Sequence, residues 1–174
     1  MSTKTLILGG VKSGKSRYAE RLAEMQPLPV RVIVTATAED AAMGERIKRH
    51  QQQRDPSWQV NEAPIMLGEA ISATGGNTCL VVDCLTLWLT NLLMREDESL
   101  FSDQRGLFLD AMKSCQSRII VVSNETNMGI MPLGELTRRY CDEVGLLHQQ
   151  VAEFSDDVVL IVAGLPHHLK SSPV

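Results

Sequence analysis

The sequence has no C-x-x-C pair. Its four cysteines, Cys79, Cys84, Cys115 and Cys141, stand apart from one another, so neither a zinc site nor a disulfide framework is suggested. They read instead as buried thiols in a reducing cytosol. There is no excess of positive charge. The formal net charge of −4 weighs against a nucleic-acid partner held by bulk charge. No apolar run reaches the length needed to span a bilayer. Met1-Ser2-Thr3-Lys4 leads straight into a strand-like run with no apolar signal region. No repeat or low-complexity segment interrupts the chain. The expected setting is soluble and cytoplasmic. The 174 residues, 44% of them hydrophobic, suffice for one core and are too few for two ordinary domains, so 1–174 reads as a single domain.

Against these absences stands one strong motif. Gly9-Gly10-Val11-Lys12-Ser13-Gly14-Lys15-Ser16 matches the phosphate-binding loop pattern G-x-x-x-x-G-K-[ST] at every fixed position. Gly9 and Gly14 let the backbone turn tightly and approach a phosphate without a Cβ in the way. The loop N–H groups then point inward as an anion nest. Lys15 supplies a mobile charge for the β- and γ-phosphates, and the Ser16 hydroxyl can ligate Mg²⁺. Thr5–Leu8 before the loop is β-prone. Ser16–Gln26 after it reads as a helix with Ala19, Leu22 and Ala23 on one face. Strand, glycine loop and helix N-terminus aim a helix dipole at the bound phosphate.

Strand-like runs recur at Leu6–Leu8, Val30–Thr35, Leu80–Asp83, Ile119–Ser123 and Val158–Ala163. Most are continuous and β-branched rather than alternating, which suits strands covered on both faces of a parallel sheet. Helical stretches separate them: Glu39–Arg54, Leu85–Arg95, Gln104–Gln116, and Pro132–Phe154 as one helix or two, with Pro132 in a first turn and Gly145 as a break. The acidic Arg95–Asp103 stretch reads as a surface loop and Ser171–Val174 as a loose tail. Alternating strands and helices predict a three-layer α/β domain with a mostly parallel sheet.

Val81-Val82-Asp83 ends an apolar strand in an acid. Beside a phosphate loop, such a carboxylate is placed to hold Mg²⁺, often through water. Thr86 and Asn91 follow, either facing the same cleft or serving as capping or core-edge polar groups. Arg46, His50 and Arg54 are four residues apart and stack on one helix face. The plain reading is a solvated basic helix. The sharper one is an imidazole flanked by guanidiniums and aimed at phosphate, since a neutral histidine nitrogen can attack phosphorus while arginines neutralise its oxygens.

These residues do not stand alone. Val34-Thr35-Ala36-Thr37 follows the phosphate loop; Arg46-Ile47, His50, Arg54, Trp58 and Glu62 come in order; then Asp83-Cys84-Leu85-Thr86 and Thr90-Asn91-Leu92-Leu93; later Val122-Ser123-Asn124-Glu125, Gly129-Ile130-Met131-Pro132, Arg139 and Val162-Ala163-Gly164-Leu165-Pro166. Over nearly the whole length the chain resembles the bifunctional adenosylcobinamide kinase / adenosylcobinamide-phosphate guanylyltransferase family of cobalamin biosynthesis. The resemblance implies a RecA-like P-loop NTPase domain, commonly a homotrimer in which a neighbour covers the cleft. It implies two reactions: ATP or GTP phosphorylates the hydroxyl of the aminopropanol arm of adenosylcobinamide, then His50 takes GMP from GTP and passes it to the new phosphate, giving adenosylcobinamide-GDP. It also implies that Gly9 to Ser16 hold the triphosphate and that Thr35, Ala36, Thr37, Gln51, Gln52, Gln53, Arg54, Glu62 and Asp83 help bind the guanine nucleotide.

The chain departs from the family's usual residues at Val11 and Lys12 (alanine and arginine), at Thr126 and Asn127 (valine and glycine) and at His148 (asparagine). Arg49 stands where a second histidine sometimes precedes the nucleophile, which leaves His50 as the one candidate on its helix. Trp58 and Trp88 read as core or interface aromatics, His167 and His168 as exposed residues without a third ligand, and Cys84 as a buried thiol. Glu125 reads equally as a helix-edge acid or as a base for the acceptor hydroxyl. Two other functions fit the phosphate loop: a plain small-metabolite kinase with the His50 helix as a lid, and a nucleotide-dependent regulatory module.

Overall fold

Continuous β-branched runs need cover on both faces, and the chain supplies it. The computed structural model describes residues 3–37 and 55–171. Among them, in chain order, are β1 (Lys4–Gly9), α1 (Lys15–Glu24), β2 (Val30–Val34), β3 (Gln59–Glu62), α2 (Leu67–Ser72), β4 (Cys79–Asp83), α3 (Leu85–Leu93), α4 (Glu98–Ser114), β5 (Arg118–Val122), α5 (Glu135–Phe154), β6 (Asp157–Val162) and β7 (Leu165–Lys170). The strands form one seven-stranded sheet in the order β3-β2-β4-β5-β1-β6-β7. Every pairing is parallel except β6 with β7. The helix expected over Glu39–Arg54, with His50, Gln51, Gln52, Gln53 and Arg54, lies outside the described residues.

Strand periodicity sends successive side chains to opposite faces. Leu6 and Leu8, Leu80 and Val82, and Ile119 and Val121 face one core with residues of α2 to α5. Ile7, Val81, Ile120 and Val122 face the other with Ala19 and Ala23 of α1. Both faces of the central strands are therefore apolar, as parallel strands require. Trp88 is fully buried, donates from Nε1 to the Ile65 carbonyl at 2.7 Å, and meets the Phe108 ring at 5.0 Å between centroids.

Several boundaries differ from expectation. Arg95–Asp103 is not a loop throughout: α4 begins at Glu98, with the Asp97 carboxylate accepting from the Leu100 N–H at 3.0 Å. The side-chain cap outweighs the local charge density. α5 begins at Glu135, after Pro132, and runs unbroken through Gly145. The glycine costs about 1 kcal/mol in a helix interior, which the buried stripe of Cys141, Val144, Leu147 and Val151 offsets.

Gly68 sets how closely α2 and α4 approach. A Cβ there would lie 2.6 Å from the Leu107 carbonyl carbon. Gly68→Ala is expected to destabilise the domain by about 1–3 kcal/mol through overpacking, read as a lower urea midpoint at unchanged m-value.

Candidate active site

Parallel strands deliver their carboxyl ends to one edge of a sheet, where open α/β folds bind ligands. Here β1 ends at Gly9. Val34 of β2 is in register with Glu62 of β3 on one side and Asp83 of β4 on the other, and Asp83 with Val122 of β5. The phosphate loop, Thr35 to Thr37, Glu62 and Asp83 thus share one edge, although the sequence scatters them. Glu62 lies farthest from the loop, on the exposed edge strand.

The loop has the shape its residues predict. A Cβ on Gly9 would lie 2.5 Å from the Ile161 carbonyl oxygen, so the close passage of β1 past β6 excludes any other residue. Gly14, with φ of +102°, starts α1. Lys12 takes a left-handed φ of +56°, and the Ser13 N–H donates to the Gly10 carbonyl at 3.2 Å. Lys15 is nearly buried and its Nζ donates to the Gly10 carbonyl at 2.7 Å. Val11 points outward at 69% exposed. Two long-range bonds brace the loop: the Gly164 N–H donates to the Ser13 carbonyl at 2.8 Å, and the Glu125 N–H to the Gly9 carbonyl at 2.9 Å. Gly164 belongs to the tight Ala163-Gly164 turn between β6 and β7, both residues having positive φ. That dipeptide after an apolar run was the available signal for the hairpin.

Ser16 and Asp83 line one small niche with Glu20, Ala19 and Trp58. A hydroxyl and a carboxylate are the hard oxygen donors that suit Mg²⁺, which binds through one or two carboxylates plus phosphate oxygens and water. Among the described residues no group of three or more His, Cys, Asp or Glu could hold a metal ion by itself.

Thr35 is fully buried. Its Oγ1 donates to the Cys84 carbonyl at 2.7 Å and accepts from the Cys84 N–H at 3.0 Å. This hydroxyl fastens the end of β2 to the Asp83-Cys84 corner, a positional part in the site. Asn91 of α3 donates through Nδ2 to the Thr35 carbonyl at 2.8 Å and the Pro64 carbonyl at 3.0 Å. Asn91→Ala removes both donors from that corner. A loss of about 1–3 kcal/mol is expected, seen as a lower Tm and a raised KM for nucleotide.

The thiol of Cys84 is pushed up to about 11, mainly by burial and further by the Asp83 charge. It stays protonated at neutral pH and is no nucleophile. All four cysteines are free. Trp58 is half-buried against the second core, and His167 and His168 are exposed along β7.

Known proteins are similar to this chain over nearly its whole length. The family model described as cobinamide kinase / cobinamide phosphate guanyltransferase matches residues 5–169. The bifunctional adenosylcobalamin biosynthesis protein CobP of Pseudomonas aeruginosa is 49% identical over 172 residues, covering 98% of this chain and 99% of that protein. The bifunctional adenosylcobalamin biosynthesis protein CobU of Salmonella typhimurium is 31% identical over 179 residues, covering 95% and 98%. Among solved structures, a prototypical ATPase from the type III secretion system of pathogenic bacteria matches with a TM-score of 0.54 at 13% identity, over 92% of this chain and 52% of that one. That likeness speaks to fold alone, and with the strand order above it is the RecA-like, three-layer P-loop architecture. No helix among the described residues is long and apolar enough to cross a membrane.

Proposed function

This chain belongs to the cobinamide kinase / cobinamide phosphate guanyltransferase family, and from that membership we propose how its residues divide the labour of the two reactions. It is a bifunctional transferase of cobalamin biosynthesis. The observation that carries the assignment of residues is the braced loop, in which Gly9 and Gly14 keep the backbone open and Lys15 is folded over it.

In the first reaction the loop N–H groups hold the triphosphate of ATP or GTP. Lys15 exchanges the Gly10 carbonyl for the β- and γ-phosphates. The hydroxyl of the aminopropanol arm of adenosylcobinamide attacks the γ-phosphorus, and the nucleoside diphosphate departs. Ser16 and Asp83 would hold Mg²⁺, which when bound neutralises charge on the phosphate oxygens. In the second reaction the same cradle holds GTP, with Thr35, Ala36, Thr37, Gln51, Gln52, Gln53, Arg54 and Glu62 around the guanine nucleotide. A ring nitrogen of His50 attacks the α-phosphorus, forming a P–N bond as the bond to pyrophosphate breaks. Arg46 and Arg54 neutralise the α-phosphate oxygens and the leaving group. The phosphate of adenosylcobinamide phosphate then displaces His50, giving adenosylcobinamide-GDP and the free imidazole. A homotrimer in the cytoplasm completes the reading, with a neighbouring subunit covering the cleft.

The test supplies adenosylcobinamide with ATP or GTP and follows the corrinoid products by mass. Stepwise appearance of the phosphate and then of the GDP derivative, the second only with GTP, supports this reading. A single phosphorylated product in the presence of GTP would leave a plain kinase. No corrinoid turnover would leave a regulatory module.

A further inference from the structure

β5 lies between β1, which carries the phosphate loop, and β4, which carries Asp83. The segment leaving β5 therefore emerges between the cradle and the strand-end aspartate. It is tied to both sides: the Asn124 N–H donates to Thr86 Oγ1 at 2.7 Å, on the α3 side, and the Glu125 N–H donates to the Gly9 carbonyl at 2.9 Å, on the loop side. The backbone of Glu125 is thus fixed at the middle of the candidate site. The Glu125 side chain is only 16% exposed, so it is not a surface acid. Its Oε1 accepts from the Asn127 N–H at 2.7 Å, and its Oε2 lies 3.7 Å from His148 Nδ1. The His148 Nε2 in turn is 2.8 Å from Ser123 Oγ, in a buried contact. Asn127 Nδ2 donates to the Cys141 carbonyl at 2.8 Å, fastening the turn to α5. Burying an acid beside a histidine costs desolvation free energy, and such pairs are found preferentially at functional sites.

We propose that Glu125 accepts the proton of the acceptor hydroxyl in the phosphoryl-transfer reaction, and that His148, seated on Ser123, is the positioning residue that holds its carboxylate. The inference rests on the kinase reading above and adds the base that reading lacks. As the substrate oxygen bonds to the γ-phosphorus, its O–H bond breaks and the proton passes to Glu125. The bond from the γ-phosphorus to the β-phosphate oxygen breaks, and its electron pair leaves on the nucleoside diphosphate. The two carboxylates then have separate roles, Asp83 serving the cation and Glu125 the hydroxyl.

His148 must be neutral for this. Burial lowers its pKa below the ordinary imidazole value, partly offset by the facing Glu125. Ser123 and Glu125 face it from the end of β5. Val144 and Val151, about a turn away on either side along α5, are buried and apolar. The charged groups α4 brings to α5 are engaged elsewhere: Arg105 with Glu143 and Gln150, Glu98 with Arg139, and Lys113 over the Phe154 ring. A proton on His148 would turn the pair into an ion pair and occupy the carboxylate that the hydroxyl needs. Phosphoryl transfer is therefore expected to fall as pH drops below the ordinary imidazole range.

The experiment measures kcat for adenosylcobinamide phosphorylation against pH in the wild-type chain, Glu125→Gln, Glu125→Asp and His148→Asn, with Tm recorded for each. Glu125→Gln is expected to lower kcat about 10²-fold or more, the usual size of a general-base contribution, and Glu125→Asp to recover part of it. His148→Asn is expected to remove the acid limb while retaining measurable turnover. Glu125→Gln within threefold of the wild type, or an acid limb unchanged in His148→Asn, overturns the proposal. Should Glu125→Gln fail to fold, the His148→Asn profile still decides. A wild-type chain with no phosphorylation at all would overturn the kinase reading itself, a different failure.

Discussion

Lys15→Ala is expected to abolish both phosphoryl and guanylyl transfer, each falling about 10²–10³-fold or more, the scale for losing one preorganised charge at a transferring phosphate. Both reactions should fall together because the sheet edge holds a single G-x-x-x-x-G-K-S loop among the described residues, braced by Gly164 and by Glu125. Lys15 already reaches a loop carbonyl at 2.7 Å. Its ammonium therefore sits where a bound phosphate would replace that oxygen. Removing it leaves the backbone nest intact, so weak nucleotide binding is expected to persist while turnover is lost. Separate assays of the two steps, the second started from purified adenosylcobinamide phosphate, read the result. Kinase activity surviving while guanylyl transfer stops would require two cradles.

His50→Asn has the second large effect. It is expected to eliminate guanylyl transfer, by about 10⁴-fold or more, as loss of a covalent nucleophile does. Phosphorylation of adenosylcobinamide should continue, because that reaction attacks the γ-phosphorus directly. Guanylyl transfer in the wild type should slow as pH drops through the ordinary imidazole range, since only the neutral ring is a nucleophile. The kinase limb is expected below the ordinary imidazole range because burial depresses His148. Coincident limbs would mean that one group governs both.

Much of this was legible in the chain, for physical reasons that differ by element. The phosphate loop is a local motif whose glycines answer to close contacts, and Gly9 against the Ile161 carbonyl is the clearest case. The central strands are visible because both faces are buried, so the runs are apolar throughout. β3 and β7 leave no such trace. Gln59–Glu62 and Leu165–Lys170 are exposed along their lengths, and their strand state comes from pairing with β2 and β6. The start of α4 was hidden by its acidic run, although Asp97 is an ordinary capping residue. In the site, Asp83 was singled out by its place at a strand end and Thr35 through resemblance, while Glu125 was weighed without its partners. Nothing local joins Ser123 to His148, 25 residues away on another element. That contact exists only once α5 has packed across the sheet. Conversely, the histidine proposed as the guanylyl carrier, His50, was reached through its spacing with Arg46 and Arg54 and through resemblance.

The most direct measurement incubates the protein with α-labelled GTP in the absence of corrinoid, resolves it under denaturing, alkaline conditions, and maps the labelled peptide. The account predicts one GMP per labelled chain, carried on His50 and absent from both His50→Asn and Lys15→Ala. An unlabelled wild-type chain, or label that persists in His50→Asn, would contradict it.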